Sequence, residues 1–152
     1  MIKIMFVCHG NICRSPMAEF VMRDIIKKAG LNEKIHIASS ATSREEIGNP
    51  VHPGTRKKLA EYGLSVDGKT AIQITKEDYK NYDYIIVMDS FNLRNLQRII
   101  GSDIEKKVYM LLDFADGGDI ADPWYTGNFD RTYDDILKGC KGLFNKITTE
   151  DL

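Results

Sequence analysis

The opening of the chain joins a short apolar run to a cysteine-containing loop and a helix start. Residues 2–7 read IKIMFV, residues 8–15 read CHGNICRS, and Pro16 follows. The apolar run predicts a buried strand, and Pro16 is favoured in the first turn of a helix. A strand that turns into a helix over so few residues is typical of an α/β fold with a parallel sheet.

The loop carries the groups that an anion-binding nucleophile needs. Backbone N–H groups at a helix start can bind phosphate oxygens, and this electropositive setting favours the thiolate of Cys8. The planar guanidinium of Arg14 can hold two phosphate oxygens at once. Ser15 can donate to the sulfur, Gly10 allows close backbone approach, and Asn11 tolerates a left-handed conformation. The loop therefore predicts attack of Cys8 on a bound phosphate group.

Two plainer interpretations of the cysteines are weaker. A cysteine after a buried strand is often only a small core residue, but Arg14 and Ser15 at these offsets favour the catalytic interpretation for Cys8. Zinc binding by Cys8 and Cys13 is disfavoured, because no second Cys/His pair follows at ligand spacing. We expect neither a metal nor a cofactor.

Length and composition limit the remaining choices. The chain of 152 residues predicts one domain spanning 1–152, and 43% hydrophobic with 28% charged residues is globular. A net charge of −1 does not favour nucleic acid or an anionic membrane as the partner. The apolar opening is too short for a signal peptide or a membrane span. Three cysteines, two of them in one loop, do not form a secreted disulfide framework, so we expect a cytoplasmic, reduced protein. We also expect the protein to be a monomer.

Periodicity and capping signals along the chain alternate strands with helices. The expected strands are 2–7, 35–38, 84–88 and 107–112, and the expected helices are 16–28, 53–62, 76–79, one capped by Ser90, and 129–147. Residues 39–54 are expected to form a long loop. This order predicts an α/β fold in three layers: a central parallel four-stranded sheet with helices on both faces, and the phosphate loop at the C-terminal end of strand 1. Ligands bind beyond that end of such sheets.

A proton donor is needed, because a phenolate is a poor leaving group unless it is protonated. His9, His36 and His52 have no convincing context and are taken as structural. Asp122 is the better candidate, since it follows the last expected strand and Pro123 stiffens its loop. Most Asp-Pro pairs are simple turns, and only the cysteine loop favours the catalytic interpretation here.

Two aromatic residues follow the candidate acid. Trp124 is the only tryptophan, and Tyr125 comes next. They can be core aromatics under a loop, or they can form a wall beside an aromatic substrate.

With both segments in place, the chain resembles the low-molecular-weight protein tyrosine phosphatase family. The resemblance covers nearly the whole length. It rests on C-x5-R-S near the start and Asp122-Pro123 late in the chain, together with Asn49-Pro50, QITKEDY at 73–79, YDYI at 82–85 and MDSFNL at 88–93.

The resemblance implies hydrolysis of phosphotyrosine in a protein, with phosphate and other oxyanions as competing ligands. Catalysis would use Cys8 as the nucleophile that forms a cysteinyl-phosphate, Arg14 to bind the phosphoryl group, and Asp122 as acid and then base. Substrate binding would involve the loop residues His9, Gly10, Asn11, Ile12, Cys13 and Ser15, with Trp124 and Tyr125. Asn11, Ser15, Ser39 and Asp89 would support the loop, and Cys13 would pair with Cys8 under oxidation.

The chain departs from the family pattern in three places. Trp124 stands where a tyrosine is common, the segment 68–73 lacks the family's loop-bracing histidine, and no aromatic residue stands near Glu45.

Three rival functions share parts of the pattern. Thioredoxin-coupled arsenate reductases need two further cysteines, and only Cys140 remains. Protein-arginine phosphatases have threonine where this chain has Ile12. A non-catalytic phosphotyrosine-binding module would be expected to lack Cys8 or Asp122, and both are present.

Overall fold

The strand–loop–helix unit at the start of the chain is the centre of the fold. In the computed structural model, which describes all 152 residues, strand β1 spans Ile2–Cys8 and helix α1 spans Arg14–Lys28. The five residues between them are the central part of the phosphate loop, residues 8–15. Asn11 in this loop has a φ of 57°, in the left-handed region that asparagine tolerates better than most residues.

Four parallel strands form one sheet in the order β2-β1-β3-β4. The other three strands are β2 (Ile35–Ala41), β3 (Tyr84–Val87) and β4 (Val108–Met110). β1 lies between β2 and β3, so that Val7 is paired with Ser40 on one side and with Val87 on the other. The loop after β1 therefore opens at the middle of the sheet edge, where ligands of such sheets bind.

Helices cover both faces of the sheet, as the alternation of elements predicts. The remaining helices are α2 (Pro53–Ala60), α3 (Lys76–Asn81), α4 (Ser90–Ile100), α5 (Pro123–Thr126) and α6 (Phe129–Glu150), with a 3₁₀ helix at Leu111–Phe114. Ile4 and Phe6 of β1 pack in one apolar cluster with residues of α1 and α6. Met5 and Val7, which point to the opposite face, pack with Tyr79 of α3 and with Leu96 of α4.

The three-layer α/β prediction is confirmed, but several element boundaries differ. β2 runs to Ala41, so the loop predicted from residue 39 begins later. The two serines at 39 and 40 belong to the strand because they pair with Phe6 and Val7 of β1. The last strand ends at Met110, because the next four residues form the 3₁₀ helix.

Two helix starts also differ from the sequence-based expectation. The predicted cap Ser90 is wrong: Asp89 caps α4, and its carboxylate accepts from the backbone N–H of Asn92 at 2.7 Å. Ser90 instead donates its backbone N–H to Asp119. The short helix α5 was not predicted. Thr75 caps α3, in a reciprocal pair with Asp78.

None of the helices combines the length and the apolar character that a membrane-crossing helix requires.

Candidate active site

A cleft of about 390 Å³ opens at the C-terminal end of β1. Its walls bring together the residues that the sequence singled out far apart in the chain. They include Cys8 and Arg14 of the phosphate loop together with Asp122, Trp124 and Tyr125 of the late loop. The cleft is open to solvent on the side of Trp124 and Tyr125, which are 57% and 84% exposed.

The sulfur of Cys8 is held by the start of α1. Its Sγ lies 3.0 Å from the hydroxyl of Ser15 and 3.4 Å from the backbone N–H of the same residue. Cys8 is 3% exposed, so its sulfur is reached only through the cleft. Donors aimed at a sulfur stabilise its anionic form, which is the nucleophilic form.

The side chain of Asn11 links the phosphate loop to neighbouring segments by hydrogen bonds. Its amide nitrogen donates to the hydroxyls of Ser15 at 2.8 Å and Ser39 at 3.0 Å. Its amide oxygen accepts from the backbone N–H of Ile72 at 3.2 Å. The segment 68–73, which lacks the histidine that the resemblance implied, thus contributes a backbone donor to the network.

Arg14 is buried, at 2% exposure, and its guanidinium is held by oxygen atoms of three other residues. One Nη donates to Asp89 at 2.7 Å and to the carbonyl of Ile120 at 2.8 Å, and the other lies 3.4 Å from Asp122. Burial alone would lower the pKa of Arg14, but the opposing charges of Cys8, Asp89 and Asp122 raise it overall. The guanidinium is therefore a fixed positive charge at the base of the cleft.

Asp122 begins helix α5 and faces Arg14. One carboxylate oxygen accepts from the backbone N–H of Trp124 at 3.0 Å, which caps the helix, and the other points to Arg14. Pro123 occupies the first helical position, where its missing N–H costs nothing. The cap fixes the position of a carboxyl group at the cleft wall, beside the two exposed aromatic rings.

The other two cysteines differ from Cys8 in their surroundings. Burial, with the nearby charges of Cys8 and Asp122, raises the pKa of the Cys13 thiol to about 12. Cys140 is fully buried in α6, where its sulfur contacts the carbonyl of Ala18, and burial also raises its pKa. Both are neutral thiols at ordinary pH. No group of three or more His, Cys, Asp or Glu side chains is placed to hold a metal ion.

Comparison with known proteins agrees with this geometry. Residues 3–151 match the family model described as low molecular weight phosphotyrosine protein phosphatase. The chain belongs to this family. It is 42% identical to the low molecular weight protein-tyrosine-phosphatase YfkJ of Bacillus subtilis, over 99% of this chain and 98% of that protein. PtpA of Staphylococcus epidermidis is 36% identical over 99% of this chain and 96% of the relative.

Solved structures of the family have the same fold. The crystal structure of YfkJ superposes with a TM-score of 0.96, covering 100% of this chain and 98% of that one. The structure of SP-PTP, the low molecular weight protein tyrosine phosphatase of Streptococcus pyogenes, is 41% identical with a TM-score of 0.89, covering 99% and 96% of the two chains. The chain is thus a protein tyrosine phosphatase, and the rival functions find no support in these relatives.

Sequence reasoning missed two acidic residues at the mouth of the phosphatase cleft. Glu45 and Glu46 line the cleft, and Glu45 lies 2.7 Å from Nε2 of His9. His9 is exposed and thus points outward from the loop. No local pattern marks the two glutamates, because they come from the loop after β2 and reach the cleft through the fold.

Two charged residues behind the phosphate loop were also missed. Glu19 is 4% exposed and accepts from the hydroxyl of Ser39 at 2.6 Å. Nζ of Lys69 donates to the carbonyl of Ser39 at 2.9 Å and lies 3.8 Å from Glu19. One signal was available for Glu19, because it follows Ser15 by four residues and therefore lies on the same face of α1.

The histidines outside the cleft have packing roles. His52 caps α2 through Nδ1, which accepts from the backbone N–H of Gly54. Its ring stacks on Phe129 and meets the edge of Trp124, with centroid separations of 5.4 and 5.6 Å. His36 packs against Tyr82 on the sheet surface.

Proposed function

We propose that Cys8, Arg14 and Asp122 divide the hydrolysis of phosphotyrosine among three roles: nucleophile, phosphate ligand and proton donor. The observation that carries this assignment is their convergence in one cleft. Cys8 lies at the base, the buried guanidinium of Arg14 lies beside it, and Asp122 is fixed on the opposite wall by its helix cap.

In the first step, the Cys8 thiolate attacks phosphorus. The S–P bond forms while the bond from phosphorus to the tyrosine oxygen breaks, and the carboxyl group of Asp122 delivers its proton to that oxygen. Arg14 and the loop N–H groups bind the phosphoryl oxygens, where the negative charge lies in the transition state. Because Asp89 and the Ile120 carbonyl already hold one Nη, the guanidinium loses little freedom on binding.

In the second step, water replaces the sulfur. The Asp122 carboxylate, now deprotonated, takes a proton from the water as its oxygen bonds to phosphorus. The P–S bond breaks, its electrons return to Cys8, and phosphate leaves. The hydroxyl and N–H of Ser15 stabilise the departing thiolate through their contacts with Sγ.

We expect the exposed rings of Trp124 and Tyr125 to flank the aromatic ring of the substrate. Both lie on the wall that carries Asp122, so that a ring packed between them brings its phenolic oxygen close to the acid. Free phosphate and other oxyanions should compete for the loop, because the cradle is mostly backbone.

The Cys8→Ser variant tests the assignment. Turnover of an aryl phosphate should be lost, while inorganic phosphate still binds by calorimetry, because Arg14 and the loop remain. The matched control is Cys140→Ala, which removes a cysteine that lies in α6 and not in the cleft, and which should keep its activity. Normal turnover by Cys8→Ser would refute the assignment.

We further propose that Cys13 protects Cys8 from irreversible oxidation. Peroxide oxidises the thiolate to a sulfenic acid, and the Cys13 sulfur then attacks it, forming the disulfide and releasing water. The charge of Cys8 contributes to the raised pKa of Cys13, and this contribution disappears once Cys8 becomes the neutral sulfenic acid. Peptide mapping after mild peroxide should find the Cys8–Cys13 disulfide, and Cys13→Ser should recover more slowly under thiol. Recovery of only sulfinic acid at Cys8 in the native protein would contradict the role.

A further inference from the structure

A carboxylate lies behind the phosphate loop, on the side away from the substrate. Glu19 of α1 is 4% exposed. One of its oxygens accepts from Ser39 at 2.6 Å, and the other pairs with Arg23 at 2.8 Å. Nζ of Lys69 approaches the first oxygen at 3.8 Å. An ionised carboxylate carries no hydrogen and therefore only accepts hydrogen bonds.

The acceptor character of Glu19 determines how Ser39 can bond. Ser39 is fully buried, and its hydroxyl has a single hydrogen. That hydrogen is donated to Glu19, so the Ser39 oxygen can only accept from its other neighbour. This neighbour is the amide of Asn11, whose nitrogen lies 3.0 Å away.

The same logic continues to the sulfur of Cys8. The Asn11 nitrogen donates its second hydrogen to Ser15 at 2.8 Å. Ser15 therefore accepts from Asn11, and its own hydrogen is free for a different acceptor. The nearest one is the Cys8 sulfur at 3.0 Å, and the Ser40 carbonyl is more distant at 3.3 Å.

We propose that Glu19 is a positioning residue, which acts through Ser39 and Asn11 to direct the Ser15 hydroxyl hydrogen toward the Cys8 sulfur. The inference rests on Cys8 as the proposed nucleophile. Its test does not require turnover, so its failure is distinguishable from a failure of the proposed function.

The series of hydrogen bonds from Glu19 to Cys8 could in principle run in the opposite direction, and this alternative shows what Glu19 prevents. If Ser39 donated toward Asn11, the amide would have to turn its oxygen to the two serines. Ser15 would then donate to that oxygen, and the thiolate would lose its hydroxyl donor. The backbone N–H of Ile72, which can only donate, opposes the same reversal from the other end of the amide. Glu19 and Ile72 thus fix the amide of Asn11 from both sides.

The charge of Glu19 allows this mechanism to be separated from a direct electrostatic effect. Removing a nearby negative charge by itself favours a thiolate, and would shift the pH midpoint of Cys8 alkylation downward. Loss of the directed hydrogen bond disfavours the thiolate, and would shift that midpoint upward. The sign of the shift therefore decides between the two effects.

The experiment measures iodoacetamide alkylation of Cys8 against pH, with the labelled peptide quantified by mass spectrometry. In Glu19→Gln, the glutamine amide can donate to Ser39 and thus reverse the direction of the hydrogen bonds that lead from residue 19 to Cys8. We expect the pH midpoint of Cys8 alkylation to rise by about 0.5 to 1 pH unit, which corresponds to the free energy of one hydrogen bond. Below the midpoint, alkylation should be roughly three- to tenfold slower. The raised pKa values of Cys13 and Cys140 keep the label on Cys8.

Two further variants complete the test. Ser39→Ala removes the hydroxyl through which Glu19 acts, so adding Glu19→Gln to Ser39→Ala should raise the midpoint no further than in Ser39→Ala alone. Arg23→Gln is the control. The exposed side chain of Arg23 contacts the Glu19 carboxylate but not the hydrogen bonds that lead from Glu19 to Cys8, so the midpoint of Cys8 alkylation should not change. Arg14 and Lys69, whose charges interact with Cys8, and Asp122, which lines the same cleft, are unchanged throughout.

Circular dichroism and melting temperature show whether each variant is folded before alkylation. A lower melting temperature with an unchanged or lowered midpoint in Glu19→Gln would reduce Glu19 to a residue that stabilises the fold and overturn the proposal. Additive shifts in the double variant, or an equal rise in Arg23→Gln, would also overturn it.

Discussion

Asp122 offers the sharpest test of the mechanism, because the structure gives its side chain two separable tasks. One oxygen caps α5 through the N–H of Trp124, and the other faces Arg14 and the cleft. Asp122→Asn keeps an oxygen for the cap but has no acidic proton. Asp122→Ala removes both the cap and the proton. Comparing the two variants separates the position of the loop from the chemistry of the acid.

The expected magnitudes differ for the two tasks. Loss of a helix cap costs about 1 kcal/mol of stability, so we expect Asp122→Ala to be destabilised by up to that amount and Asp122→Asn hardly at all. Loss of a general acid–base group lowers kcat by roughly 10²–10⁴-fold, equivalent to about 3–5 kcal/mol of activation free energy. Both variants should show this rate loss with phenyl phosphate or a phosphotyrosine peptide.

The assay compares substrates whose leaving groups differ in acidity. A dinitrophenolate leaves readily without a proton, so the loss in the formation of the cysteinyl-phosphate should shrink strongly for dinitrophenyl phosphate. This step is measured as the burst of phenol release in a stopped-flow experiment. If Asp122→Asn and Asp122→Ala lose the same factor with both leaving groups, then Asp122 is not the proton donor. If only Asp122→Ala is impaired, its role is to hold the loop.

Three further predictions concern stability and specificity. Gly142→Ala should lower the free energy of unfolding by about 1–3 kcal/mol in urea titrations, because its Cβ would lie 1.8 Å from the carbonyl oxygen of Phe114; exposed Lys141→Ala on the same helix should change it by less than about 0.5 kcal/mol. The pKa of Cys13 is raised from 9.0 to about 12, so its contribution to stability is complete below pH 9 and is lost as the pH rises toward 12. Under reducing conditions, the free energy of unfolding should therefore fall less steeply in Cys13→Ser than in the native protein as the pH rises from 9 toward 12, by up to roughly 1.4 kcal/mol per pH unit. Parallel curves of unfolding free energy against pH for the two proteins would contradict this. Ile12→Thr should shift the kcat/KM ratio from phosphotyrosine toward phosphoarginine, by roughly 10–200-fold, and a native protein that prefers phosphoarginine would overturn the tyrosine specificity.

The main features of the fold and cleft could be predicted because their signals are local. An apolar strand, the loop 8–15 and Pro16 follow one another directly, and strand–helix alternation is sufficient to give a parallel sheet. Asp122 was proposed as the acid on chemical grounds, since a cysteine nucleophile with a phenolate leaving group requires a proton donor. Pro123 also indicated that the acid lies on a stiff loop. The topology then brings the ends of β1 and the late loop to the same edge of the sheet.

The boundaries that differ were decided by contacts outside the segment. Ser39 and Ser40 suggest a loop by composition, yet they lie in β2 with exposed fractions of 0%. The hydroxyl of Ser39 has two partners, Asn11 and Glu19, which makes its burial acceptable. The hydroxyl of Ser40 has none, and this residue is placed by its strand pairing with Val7. Neither partner is near Ser39 in the sequence. For α5, the local signals were present in Asp122, Pro123 and Gly127, but four residues are too few for a periodic pattern.

The phosphate loop has local sequence signals, whereas the residues that orient it are brought to it only by contacts between distant segments. The loop groups that we propose to bind the phosphate lie in one stretch of eight residues, so the sequence alone points to them. The groups that set the hydrogen-bond directions come from three elements: Glu19 from α1, Ser39 from β2 and Ile72 from the segment after α2. A carboxylate on a helix usually belongs to a solvated face. Glu19 is the exception, because Lys69 and Arg23 neutralise it and Ser39 uses its remaining acceptor, and only the folded chain brings these four residues together.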